Sequence, residues 1–400
     1  MFWKKLGYTD RNIGLYYTSS FLDGLRFLLP VWLLWYTRFI SMGTVGLVEG
    51  LGIIIGMLLE VPTGAFADVV GRRTSVMIGK MGVSIACFTI AFATNSTSLI
   101  VGIILWGIFG AFISGSDTAL IYDHLLSKNK ESLFSKVNSI AAMVMRIGII
   151  IGSFTGGYLY NIWMPLPYFL FGVTSAFEVI VWYFITEPKI DSTHFSWSSY
   201  KEMIINGFKS ISHSPHIRII STISVVIVSF AVIFREELNY SFAIDLGLNA
   251  TSQSLLFGTS GVLKMIAVIL IGNFIIRFSQ NKVVYTFLFL FAIILISTIF
   301  VGNMGGVVII LLVEMISAMA SIISDTFLNR ELSSKERATS ISFINMFTSL
   351  CKAIGLFVGM YFVGLIGGRI VFFVFGLVLM IISILLLLWQ KKQKLGLRYN

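Results

Sequence analysis

The sequence predicts an all-α membrane protein with twelve transmembrane helices in two pseudo-symmetric six-helix bundles. Three observations predict it. Of the 400 residues, 56% are hydrophobic and 12% charged, with a mean hydropathy of +0.90, whereas a soluble domain carries about 45–50% and about 25%. Hydrocarbon must therefore be part of the chain's solvent. A window of about 20 residues, the length a helix needs to cross that hydrocarbon, finds twelve apolar stretches. They are 12–36, 43–67, 75–94, 98–123, 138–160, 165–186, 217–246, 252–276, 283–302, 305–329, 338–365 and 368–389. Basic residues alternate between the connections, rich then poor, as the two sides of a membrane require.

The first stretch follows Met1-Phe-Trp-Lys-Lys with no small-residue cleavage site between, so it reads as an uncleaved helix. With the N-terminus inside, 22 of the 29 Lys and Arg fall on the inner side, Lys80 among them. Two, Arg38 and Arg369, fall outside, and five lie within spans. This asymmetry places both termini in the cytoplasm and the chain, multi-pass, in the plasma membrane. It also explains the net charge of +10 as topology and excludes nucleic acid as a partner. The lipid bilayer and a small-molecule substrate are the expected partners, and the expected form is a monomer.

The longest polar stretch, 187–216, divides an N-terminal bundle (1–186) from a C-terminal one (217–400). Within it, Trp197, Ile204, Ile205 and Phe208 alternate with Lys201, Glu202 and Lys209, the pattern of a short interfacial helix over 197–210. Cys87 and Cys351 sit inside apolar runs, as buried small hydrophobes do, which excludes a disulfide framework or metal cluster. No metal or cofactor is expected. His124, His194, His213 and His216 offer no dyad of the kind a membrane acyltransferase needs, so an enzyme is not expected.

An internal repeat supports two halves. Span four ends Ser116-Asp117-Thr118 and span ten ends Ser324-Asp325-Thr326, an offset of 208. Gly148-x-x-x-Gly152 in span five matches Gly355-x-x-x-Gly359 in span eleven, an offset of 207. Both join helix n to helix n+6, as parallel six-helix repeats do. Chance in a chain rich in Gly and Ser is the alternative.

Between spans two and three stands Gly64-Ala-Phe-Ala67-Asp68-Val-Val-Gly71-Arg72-Arg73. It resembles the signature loop of the major facilitator superfamily, Gly-x-Leu-Ala-Asp-Arg-x-Gly-Arg-Arg, with Phe66 for Leu and Val69 for the first Arg. The resemblance implies alternating access between two six-helix halves and a cytoplasmic gate made by this loop. Physically, small Gly64 would let helices approach and Gly71 permit a tight turn. Asp68 would face a helix N-terminus and an Arg, for example the start of span eleven after Arg337. Arg72 would reach Asp123 at the end of span four. For Arg73, simple anchoring of topology is sufficient. The equivalent second-half loop, Gly272 to Lys282, has lost the pattern.

Span five carries Gly148-Ile-Ile-Ile-Gly152-Ser153-Phe-Thr-Gly156-Gly157. This is similar to the antiporter signature Gly-x-x-x-Gly-Pro-x-x-Gly-Gly of the exporting branches, with Ser153 in place of Pro. Plain close packing of glycines is the alternative. Span four lacks the basic residue common in the family between Trp106 and Gly115, which leaves the usual proton relay without a carrier there.

An ionisable group in mid-span costs roughly 2.5–3.5 kcal/mol even on the lenient insertion scale, so each such group needs a cavity or a partner. Asp23 and Arg26 lie three apart on span one; Arg146, Glu178, Lys264, Glu314 and Lys352 occupy spans five, six, eight, ten and eleven; Arg235, Glu236 and Glu237 cluster in span seven before Tyr240. By the resemblance, spans one, four, seven and ten line the cavity, which selects Asp23, Arg26, Asp117, Glu236, Glu237, Tyr240 and Glu314 as lining residues. Purely structural pairs, Asp23 with Arg26 and Glu178 with Lys264, are the alternative. Glu314, with no base nearby on its own helix, is the first candidate for proton coupling and Asp23 the second. Trp32, Trp35, Tyr36 and Trp106 either line an amphiphile site or form interfacial belts.

These features point to a proton-coupled antiporter that exports a small amphiphilic or cationic compound, a drug or natural product, and so to antibiotic resistance. Protons are the expected coupling ion. A proton-coupled importer of a sugar, organic anion or peptide, and a lipid flippase on the same fold, are the rivals.

Overall fold

A computed structural model describes residues 10–188, 205, 215–332 and 337–396. The interfacial helix expected over 197–210 lies outside them, save for Ile205. Span one is α1 (Arg11–Gly24) and a short α2 (Trp32–Tyr36). Spans two and three are α3 (Met42–Val70) and α4 (Arg72–Ala91). Span four is α5 (Ser96–Ile113) and α6 (Ser116–Leu126); spans five and six are α7 (Phe134–Ile162) and α8 (Leu166–Tyr183).

Span seven runs as α9 (Pro215–Ile233), a π-helical turn (Phe234–Leu238) and α10 (Asn239–Asp245). Then come α11 (Ala250–Arg277), α12 (Gln280–Ile296), α13 (Asn303–Glu331), α14 (Arg337–Ile366) and α15 (Gly368–Gly396). No strand occurs among the described residues. Among the described residues, eleven helical segments are long and apolar enough to cross a membrane. Span one is missing from that set because its helix stops at Gly24, leaving α1 only 14 residues. Large apolar side chains such as Leu58, Ile162, Phe300 and Leu385 face outward, which lipid allows and water does not.

Two compact units divide the chain. The first comprises Met1–Ile40, Leu51–Phe195 and Asn249–Gly261; the second comprises Ser41–Gly50, Ser196–Leu248 and Val262–Asn400. The first ten residues of the α3 region thus count with the second unit, and the start of α11 with the first. In the first unit α4 packs on α5 and α8, and α1 packs on α7. In the second, α12 packs on α15, and α9 on α13 and α14. Span three against six recurs as nine against twelve, and one against five as seven against eleven. Equal packing at a six-span offset is what a duplicated bundle produces.

The glycines of α7 explain where span one can break. A Cβ at Gly148 would stand 2.7 Å from the Phe21 carbonyl oxygen, and one at Gly152 3.0 Å from the Arg26 backbone. At Gly156 it would meet the Phe27 carbonyl and Pro30. Gly148 therefore seats the end of α1, and Gly152 and Gly156 seat the irregular stretch from Leu25 to Val31 that follows it. Gly157 faces elsewhere, and its N–H donates to Ser254 Oγ in the same unit. Gly64 corrects an expectation. Nothing lies within 4 Å of the position its Cβ would take, so it mediates no close helix approach here.

Candidate functional site

The signature loop is built as a helix start. Gly71, at φ +104°, joins α3 to α4, and a Cβ there would come 2.9 Å from Glu187 Oε2. Both reasons demand glycine. The Glu187 carboxylate accepts from the N–H of Arg72 (2.6 Å) and of Arg73 (3.2 Å), capping two orphan donors of α4. The Arg72 guanidinium pairs with Asp123 on α6, as its position in the motif predicts. Arg73 Nη1 donates to the Ile185 carbonyl at 3.3 Å, so it ties α4 to the end of α8 as well as carrying charge. Asp68 is half-buried on the last turn of α3. The side chain of Arg337, its expected partner region, lies outside the described residues.

Beside this start lies a polar knot. Asp10 caps α1 through the Ile13 N–H (3.0 Å) and receives His124 Nε2 (2.8 Å) and Lys128 Nζ (2.7 Å). Burial pushes its carboxyl up, but the hydrogen bonds from His124, Lys128 and Ile13 outweigh that and hold it well below the usual carboxylate range. Asn12 is oriented by Thr186, donating to its carbonyl (2.7 Å) and accepting from its N–H (3.1 Å). Its Nδ2 therefore donates to His124 Nδ1 (3.0 Å), which sets the imidazole as the Nε2–H tautomer.

Deeper in the first unit, the break in span one carries the first charge network. Arg26 Nη2 pairs with Asp23 Oδ2 at 2.8 Å, as the spacing predicts. Lys80 then bridges Asp23 Oδ1 (2.9 Å) and Glu178 Oε2 (2.8 Å). Ser19 Oγ donates to the same Glu178 oxygen at 2.6 Å, and Trp182 Nε1 donates to Ser19 Oγ at 2.8 Å. Two readings are thereby corrected. Glu178 pairs with Lys80, not Lys264, and Lys80 is no loop anchor, since it stands eight residues, about 12 Å, along α4. Asp117, the second residue of α6 after Gly115 (φ +75°), lies within electrostatic reach of Lys80 and Asp23. The Arg26 guanidinium lies 6.0 Å from the Phe171 ring, on which Trp106 stacks at 5.5 Å.

The second unit holds the other network. On the π turn, Arg235 Nη2 meets Glu236 Oε1 at 2.9 Å, and Lys352 of α14 pairs with the second oxygen of Glu236. Glu237 is buried, and Glu49 of α3 lies in the same electrostatic group as Glu237 and Lys352. Glu314 does have a base, brought by another helix. Lys264 Nζ reaches its Oε2 at 2.6 Å, and Asn239 Nδ2 its Oε1 at 2.7 Å. Tyr240 is buried beside this group. Arg146 is exposed on α7. Of the aromatic candidates, Trp32, Trp35 and Tyr36 are packed; Trp35 Nε1 donates to the Ile90 carbonyl at 2.9 Å, and Tyr36 stacks on Tyr168. Only Trp106 stands partly exposed near a charge network.

Three charged sites thus coincide with three irregular backbones: Asp23 and Arg26 at the break in span one, Asp117 at Gly115, and Arg235 to Glu237 on the π turn. Irregular backbone inside a membrane is tolerated where protein or a watery cavity satisfies it, and π turns concentrate at functional positions. Lys80, Glu49 and Ser19 in these networks, and Glu187 at the start of α4, were not singled out by sequence. Depth along each helix would have selected Lys80 and Glu49.

The profile of the Major Facilitator Superfamily matches residues 13–242 and 238–397. Uncharacterized MFS-type transporter YxaM of Bacillus subtilis is 24% identical over 285 residues, 67% of this chain and 68% of that protein. Multidrug resistance protein 2 of the same organism is 24% identical over 256 residues, 62% of each. Among solved structures, the nucleoside transporter NupG superposes with a TM-score of 0.77 at 15% identity, covering 95% of this chain and 99% of its own. A bacterial homolog of the human lysosomal transporter Spinster gives 0.76 at 14%, covering 95% and 96%. The match to the whole length in sequence profile and fold has one meaning: the chain belongs to the Major Facilitator Superfamily.

Proposed function

We propose that this secondary transporter is a proton-coupled antiporter that exports a small amphiphilic or cationic compound, working as a monomer by alternating access with both termini in the cytoplasm. The observation that carries this is charge. The two networks inside the spans hold seven carboxylates (Asp23, Asp117, Glu178, Glu49, Glu236, Glu237, Glu314) against five bases (Arg26, Lys80, Arg235, Lys264, Lys352). A surplus of negative charge inside the spans selects protons and organic cations and disfavours anions. Protonation of Glu314 or Asp23 frees Lys264 or Lys80, so proton and cation compete for one balance of charge and each drives the other off. The named multidrug relative agrees with this reading, and the rings of Trp106 and Phe171 suit an amphiphile.

A second reading, import of a polar or anionic solute, draws on Arg26 and Arg235. Their side chains are 32% and 34% exposed, the most open cations of the networks. The nucleoside transporter among the structural neighbours fits that reading. Everted vesicles decide between them. An exporter accumulates tetraphenylphosphonium or ethidium when the vesicle interior is made acidic, and accumulation fails without the gradient. Uptake of a polar solute by intact cells under the same gradient, with no cation movement in vesicles, supports the importer.

A further inference from the structure

The second network does not balance around Glu237. Two bases serve its three carboxylates, and both engage the same one: Lys352 and Arg235 each bind Glu236. Among the described residues no ion pair reaches Glu49 or Glu237. Glu237 is 6% exposed and its Oε2 is buried with no hydrogen-bond partner. Glu49 of α3 is brought here by close packing, since a Cβ at the next residue, Gly50, would stand 3.0 Å from the carbonyl of Ala353, the neighbour of Lys352. With Lys352 of α14 and Arg235, Glu236 and Tyr240 of span seven it makes up the charged and titratable groups around Glu237. The same stretch leaves Asn239 Oδ1 buried and unpartnered, an acceptor without a donor.

The other candidates differ on this point. Both oxygens of Glu314 are occupied, by Asn239 and Lys264. Both of Asp23 are occupied, by Lys80 and Arg26. Glu178 has one buried oxygen without a partner, but its other oxygen holds Lys80 and Ser19. Each of these three carboxylates has its own base and needs no proton for neutrality. Glu49 is half-buried and Glu237 buried, and two neighbouring carboxylates withdrawn from water do not both stay ionised. A proton is the smallest ligand that removes the extra charge, and it turns one carboxylate into a donor.

We propose that Glu49 and Glu237 hold one proton between them at rest and form a further proton-binding site of this transporter, at the π turn of span seven, in addition to the coupling carboxylates Glu314 and Asp23. The inference rests on the proton-coupled reading and names the residues that carry the ion. In this resting arrangement Glu314 and Asp23 are ion-paired with their bases and take no proton until the pair has discharged. Discharge of the pair creates the negative charge that an incoming cation neutralises.

Infrared spectroscopy of the full chain in proteoliposomes at pH 7 tests it without any substrate. Wild type is expected to show a protonated-carboxyl band, identified by its shift in heavy water. Glu237→Gln and Glu49→Gln each leave two carboxylates facing two bases, so each is expected to lose one component of that band. Glu314→Gln is expected to keep it. Survival of the full band in either of the first two variants, or its loss in Glu314→Gln, overturns the proposal. Should Glu237→Gln fail to insert, Glu49→Gln decides alone. Proton release on adding tetraphenylphosphonium is the separate arm. With no release but the expected band losses, the proton site stands and the exporter reading falls; with release but an unchanged band in both variants, the reverse holds.

Discussion

The ammonium of Lys80 lies 2.8 Å from Glu178 Oε2, and the two side chains are 7% and 0% exposed. The same ammonium lies 2.9 Å from Asp23. A buried ion pair is a weak source of stability, but breaking one strands a charge at a cost of about 3–5 kcal/mol. Lys80→Met is therefore expected to lower the melting temperature in detergent sharply. Adding Glu178→Gln to it is expected to recover part of the loss, because fewer charges are then stranded. A melting temperature unchanged in Lys80→Met would remove the pair from any role in stability.

Glu314→Gln imitates the protonated acid and leaves Lys264 without its counter-ion. Proton-driven transport is expected to disappear while binding of a probe cation persists. Fluorescence quenching in vesicles with an imposed pH gradient, set beside equilibrium binding of tetraphenylphosphonium, separates the two. Transport of normal gradient dependence sinks the assignment.

Substitutions in the α7 glycines test the bed beneath span one. Gly152→Leu forces side-chain atoms into the Arg26 backbone and is expected to cost about 1–3 kcal/mol, as overpacking does. Transport should fall with it, since Asp23 and Arg26 move. Gly110→Ala on α5 is the control. Nothing lies within 4 Å of its Cβ position, and removing a helix glycine is expected to stabilise by up to about 1 kcal/mol. Paired melting curves check both.

Acid sensitivity should run through Asp10. Its carboxyl is held below the ordinary value of 3.8 in the folded state, so the unfolded chain binds the proton more readily. The stabilisation is full above 3.8 and is lost as pH falls through the lowered value. Asp10→Asn keeps a good helix cap but removes the charge facing Lys128. Its melting temperature is expected to vary less over that acidic range than the wild type's, and an identical acid limb in both proteins counts against the role.

Much of this fold was legible because a membrane writes coarse rules into sequence. Span lengths and the positions of Lys and Arg required only hydropathy and charge, and Arg72 with Asp123 followed from a motif. The pairing of buried charges was less legible, since it depends on which helix faces which. Lys264 finds Glu314 across spans eight and ten, and Lys80 finds Glu178 across spans three and six. No rule of local spacing supplies such partners. Backbone breaks were equally hidden. Pro30 is the one sequence mark of the unwound stretch Leu25 to Val31, and the glycines that seat it lie in another helix.

That dependence bears on the order in which the protein is made. A 14-residue α1 spans only about 21 Å, short of the roughly 30 Å of hydrocarbon, and the turn after it exposes backbone that lipid cannot satisfy. Its bed, Gly148 to Gly156, is synthesised more than a hundred residues later. Span one is therefore expected to wait beside the insertion machinery until span five emerges. Chains truncated before Phe134 should leave it open to protease or labelling reagents, and chains extended past Ile162 should protect it. For this chain, the same break that positions Asp23 makes the first helix written among the last to settle.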